Sequence, residues 1–208
     1  MEFYRQTTEY TCAACSLLMV LNHFKPDYKL NRENEFKIWR ETANLPTRAP
    51  SIYGLSVLAK KEGLNVSLVL EEMEYDYPDY RFKGYTKKEI DEAKFMSKTH
   101  AREAREANIK IEHRDVNIDE IKKLLTDGKI LMLRVNAGIF RDTRSTSKYL
   151  VFYKISSDEH FTVLDPFKGT LTIDEKDLEQ ALETLHTKKK RDRRMIVFSW
   201  PFSFIVIF

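Results

Sequence analysis

The period of the apolar residues changes near Gly128, and no other feature restricts the fold class as much. Beyond that point "KILMLRV" (129–135), "KYLVFYKI" (148–155), "HFTVLDP" (160–166) and "GTLTI" (169–173) follow in quick succession. Short runs rich in Val, Ile, Leu and Phe, with few residues between them, read as strands of an antiparallel sheet. Before that point the spacing is mostly helical. Ala14, Leu17, Leu18 and Leu21 repeat at helical intervals after Thr11, and Pro26 limits that helix. Asn31 and Ser51 open two more helices, the third stopped by Gly63. Thr86 with Glu89 forms a capping box for a long charged helix to about Ala107, and Asn117 with Glu120 opens another. "LNVSLVL" and "IKIEH" are the strands of this half, and a last helix is expected over 175–187. Helices first and sheet second imply an α+β fold in one domain spanning 1–208.

The totals exclude several classes. Lys and Arg number 35 against 32 Asp and Glu, a net charge of +3, too mild for a nucleic-acid partner. Two cysteines cannot make a disulfide framework and suit a reducing, cytoplasmic setting. "MEFYRQTTEY" shows no secretory signal. No ligand cluster or Gly-rich phosphate loop points to a metal or organic cofactor. The abundance of Lys, Glu and Arg suits a thermophile. The block "KKKRDRR" (188–194) is read as a solvated connector, with a binding patch as the alternative.

Both cysteines fall at the start of the first helix, in "QTTEYTCAACSLLMVLNHF" (6–24). A structural zinc site needs about four ligands, and Cys12, Cys15 and His23 leave one unfound. A thioredoxin-like C-x-x-C follows a βαβ framework, for which eleven preceding residues leave no room. Cys15, three positions on, reads as a small buried hydrophobe. Cys12 differs, because at the first helical position the helix dipole and unpaired N–H groups favour a thiolate. On that reading its pKa lies below the ~8.5 of a free thiol. Gln6 is close enough for its amide to fold back over the thiol, and an amide with a backbone N–H makes an oxyanion hole.

These residues carry a resemblance. "RQTTEYTCAACSLLMVL" is similar to the start of the double-glycine (bacteriocin-processing) cysteine peptidases, family thirty-nine of the papain-like clan, and most of all to their stand-alone intracellular relatives. Gln6, Cys12 and "DPFKG" (165–169) match the family pattern in order, and "EFKIWRETANL" and "YGLSVLAKKEGLNV" also resemble the stand-alone members. The resemblance implies a papain-like fold, a peptide or protein substrate, Cys12 as nucleophile, Gln6 as oxyanion donor and Asp165 as the residue orienting the base. It extends to about residue 198.

Two departures stand out. Ala13 replaces the usual Gly, and Lys148 occupies the position of the family's catalytic His. A hairpin turn centred between Ser156 and Ser157 would set Lys148 opposite Asp165 and His160 opposite Tyr153. His160 would then lie about 17 Å along the strand from Asp165. A free lysine, with a pKa of ~10.4, keeps its proton at neutral pH. It is a poor group to take a thiol proton and return it to a leaving amine. The expectation is a poor or inactive peptidase that binds peptides in its cleft. The alternative is an active cysteine peptidase or amidase with Lys148 as base, or with His160 backed by Asp174. His23, His100, His113 and His186 stand outside any motif. "NAGIFRDTRSTS" (136–147) reads as a lid, a substrate edge or an ordinary loop. The apolar ending "MIVFSWPFSFIVIF" is too short for a membrane helix. It is expected to form a strand over 195–199 and a further strand over 202–208, a route to a homo-oligomer.

Overall fold

The computed structural model describes residues 1–74, 77, 82–156, 160–189 and 191–200. Helix α1 (Cys12–Phe24) is buried at every position from Cys12 to Leu21. A helix apolar all round must be covered on all sides, and α2 (Arg32–Thr42), α3 (Ile52–Lys61) and the sheet do this. Asn31 caps α2 by accepting from the Asn34 N–H. The short strands β1 (Ala43–Asn44) and β2 (Ala49–Pro50) pair antiparallel between α2 and α3. The remaining elements are β3 (Asn65–Leu70), α4 (Lys87–Glu106), β4 (Lys110–His113), α5 (Ile118–Thr126), β5 (Ile130–Asn136), α6 (Gly138–Arg141), β6 (Ser147–Ile155), β7 (Phe161–Asp165), β8 (Gly169–Ile173), α7 (Glu175–Lys189) and β9 (Arg194–Ser199). The Thr86–Glu89 capping box of α4 is formed, and Asn117 caps α5.

Among the described residues the large sheet has seven strands, in the order β4-β3-β9-β5-β6-β7-β8. It is not confined to the second half of the chain. Strand β9 inserts between β3 and β5, antiparallel to both, and so joins the strands of the first half to those of the second. The β3–β4 pair is parallel, because α4 forms the crossover between them, so the sheet is mixed though mostly antiparallel. One core lies between the sheet and α1, α3 and α4, and holds Leu17, Leu18, Leu55, Leu68 and Ile196. The other lies under α5 and α7 and holds Ile121, Leu133, Phe152, Phe161 and Leu178. Each fully buried side chain of this size contributes about 1.5–3 kcal/mol, so the sheet is fixed from both faces and its strand ends are firm supports. Among the described residues, no helix is long and apolar enough to cross a membrane. The expected strand over 195–199 is β9, while the expected strand over 202–208 lies outside the described residues.

Candidate functional site

Cys12 sits where α1 begins, beneath the start of β6. Its Sγ donates to the Tyr149 carbonyl at 3.4 Å, and the Ser16 hydroxyl, one turn on, donates to the same oxygen at 2.9 Å. The thiol is 5% exposed but lines a cavity of about 250 Å³ with Tyr10, Arg48, Arg134, Lys148, Tyr149 and Arg191 among its walls. Cys15 is fully buried and donates to the Tyr4 carbonyl at 3.1 Å, the interior role expected of it.

The thiol departs from the sequence expectation. Burial pushes Cys12 up to about 11, ahead of the lowering effect of Lys148, the raising effect of Asp165 and the lowering effect of Arg141. Loss of water at a closed helix start therefore outweighs the nearby positive charges. Thr11 does not cap α1 with its side chain. Its hydroxyl is drawn instead to Glu35, a fully buried carboxylate on the inner face of α2, at 2.5 Å. Glu35 also accepts from the Thr7 N–H at 2.9 Å, the Thr7 hydroxyl at 2.8 Å and the Tyr4 hydroxyl at 3.1 Å. One carboxylate thus ties down the whole segment that leads into Cys12.

Gln6 lies in that segment, and its N–H donates to the Pro166 carbonyl at 2.9 Å, so the segment runs beside the turn after Asp165. The side-chain amide is not over the thiol. Its Nε2 donates to the Thr8 carbonyl at 2.7 Å. Gln6 lines a second cavity of about 390 Å³ with Thr8, Glu9, Arg141, Lys148 and Phe167. Lys148 and Glu9 line both cavities, and the Lys148 ammonium donates to the Glu9 carbonyl at 3.1 Å, so this bond stands between them.

The register of β6 with β7 differs from the expected one. Val151 faces Leu164 and Phe152 faces Val163, with an irregularity between Phe152 and Lys154. Continued toward the site, this register puts Leu150, not Lys148, across from Asp165. Ile155 already faces Phe161 next to the turn, so the offset from the expected register is present before the irregularity, which shifts the pairing by only one residue. Asp165 is fully buried and bound in bidentate fashion by Arg141, with Nε to Oδ2 at 2.7 Å and Nη2 to Oδ1 at 2.6 Å. The N–H groups of Phe167 and Lys168 donate to the same carboxylate at 2.8 and 3.4 Å. Arg141 comes from α6, inside the segment expected as a lid or loop. That segment is pinned by Asn136, whose Oδ1 accepts from Gly138 and Thr146 and whose Nδ2 donates to Ser145 and Thr184.

None of the five histidines lines either cavity. His160 is exposed where the β6–β7 hairpin closes, and its N–H donates to the Ser156 hydroxyl at 3.2 Å. Asp174 accepts from the Asp177 N–H at 2.7 Å, at the start of α7. His23 is at the far end of α1, His100 is buried against Asn44, His113 contacts the Glu71 carbonyl, and His186 is exposed on α7. Among the described residues no group of three or more His, Cys, Asp or Glu could hold a metal. A larger cavity, about 470 Å³, opens between Tyr53, Met73 and α4, away from both cysteines.

A cysteine thus opens a buried helix at a cleft beside a mostly antiparallel sheet, in a chain of mixed α+β type. The sequence pattern of the family described as "Peptidase_C39 like family" matches residues 1–199, and the chain belongs to that family. No protein of curated function matches the chain.

Proposed function

We propose that the chain is a papain-like, stand-alone relative of the double-glycine peptidases that binds peptides in the cleft at Cys12 and cuts them poorly or not at all. The observation that carries this reading is the side chain beside the nucleophile position. It is Lys148, held to a carbonyl, with no histidine on either cavity. Thiol proteolysis needs a group that takes the Sγ proton and later hands a proton to the leaving amine. The groups within electrostatic reach of Cys12 are a lysine and an arginine, residue types that give up a proton poorly, and an Asp165 already engaged by Arg141. Burial meanwhile keeps the thiol neutral. In this reading Cys12 keeps the nucleophile position, while the Gln6 amide is turned to the Thr8 carbonyl and would have to swing over the thiol to act as oxyanion donor. Lys148 fills the place of the base, and Asp165 has become a structural anchor. The free thiols fit a cytoplasmic setting.

The test is alkylation of Cys12 in the full chain, with and without peptide, while the peptide is followed by mass spectrometry. The expected result is slower alkylation with intact peptide. Peptide cleavage that disappears in Cys12→Ala would establish the active-peptidase reading instead.

A further inference from the structure

The cavity at Cys12 is lined by four basic side chains from four separate places in the chain. Arg48 comes from the turn between β1 and β2, Arg134 from β5, Lys148 from β6 and Arg191 from the segment after α7. Glu9 is the one acidic residue in the described lining. Nearby, the Asp192 carboxylate accepts from Arg134 at 2.9 Å but is shared with Arg194, so it cannot neutralise the group. Arg48 and Lys148 have no carboxylate within ion-pair distance among the described residues. Two of the guanidinium groups are set in place by aromatic rings, Arg48 over Tyr10 at 5.5 Å and Arg134 over Tyr149 at 5.2 Å. Arg48 is also held in the left-handed backbone region, with φ of 60°, where the Trp39 indole donates to its carbonyl at 3.0 Å. Side chains other than Gly, Asn and Asp are uncommon there. Like charges converging on a walled cavity repel one another and raise the local potential, and an anion relieves both. Planar guanidinium groups match a carboxylate in particular.

We infer that this cavity takes a carboxylate of the bound peptide, from an acidic side chain or the free C-terminus, and so gives the cleft a preference for acidic peptides. The inference rests on the peptide-binding reading above.

Fluorescence anisotropy of the full chain with dye-labelled decapeptides of Gly, Ala and Leu tests it. One probe carries two Glu residues and an amidated C-terminus, the second has Gln in their place, and the third has Gln with a free C-terminus. Binding of the first or the third at least about tenfold tighter than the second is expected, and which of the two binds identifies the carboxylate. The gap closes in high salt. It narrows several-fold in Arg48→Asn, which suits the positive φ, and in Lys148→Met. It persists in Arg102→Gln, at an exposed position on α4. Equal affinity for all three probes, or a gap untouched by Arg48→Asn and Lys148→Met, would overturn the inference while leaving peptide binding intact. Absence of binding by every probe would overturn both.

Discussion

Arg141 grips Asp165 through two parallel hydrogen bonds of 2.7 and 2.6 Å, and both side chains are withdrawn from solvent, at 8% and 0% exposure. The carboxylate that the family resemblance assigns to orienting a base is thus committed to a guanidinium. This pair links α6 to the end of β7 and so fixes one wall of the cleft.

Removing one partner leaves a buried charge uncompensated. Arg141→Met should therefore cost about 3–5 kcal/mol of stability, and Asp165→Asn a comparable amount. The double variant should cost less than the two together. Urea unfolding of the four proteins checks this. Additive losses would mean that the two side chains do not depend on each other.

The thiolate is the species that alkylates. With Cys12 raised to about 11, its iodoacetamide labelling should be slow at pH 7 and climb steadily as pH approaches that value. Lys148 lowers the Cys12 value, so Lys148→Met should move the curve to higher pH. Burial pushes Cys15 up further still, so it should label after Cys12. A plateau for Cys12 below pH 8.5, or faster labelling of Cys15, would contradict the described environment.

Glu35 accepts four hydrogen bonds from Tyr4, Thr7 and Thr11. Glu35→Ala should cost about 3 kcal/mol, since several buried donors lose their acceptor. Amide exchange should speed up most at Thr7 and around Thr11. Uniform exchange changes across the chain would show that Glu35 acts on overall stability alone.

His160 stands at the hairpin end, away from the thiol. His160→Ala should leave Cys12 labelling and peptide binding unchanged. Any change in the pH profile of Cys12 labelling would return His160 to the site.

Much of the fold could be read from local chemistry. The caps at Asn31, Thr86 and Asn117 mark helix starts because their side chains answer unpaired N–H groups nearby in sequence. The insertion of β9 between β3 and β5 could not be read, since strand order is a long-range choice that leaves no local trace. The site was legible for the same reason in part. Cys12 declares itself by opening an apolar helix. Glu35 left only a faint signal, a charged residue on the face that buries Ile38 and Thr42. Arg141 left none, because its partner is 24 residues away and the β6–β7 pairing that decides which residue approaches Asp165 leaves no local trace. The positive direction of the Cys12 shift was missed because position in a helix is visible in sequence and depth of burial is not.

On the proposed function the cleft has kept its nucleophile position and lost the base. The most direct measurement is the rate of peptide-bond hydrolysis by the wild-type chain, by Cys12→Ala and by Lys148→His, on one peptide shown to bind. Equal background rates are expected for the wild type and Cys12→Ala. Only a weak, Cys12-dependent gain is expected in Lys148→His, because position 148 is not across from Asp165 and Arg141 holds that carboxylate. Robust wild-type turnover abolished by Cys12→Ala would contradict the proposed function.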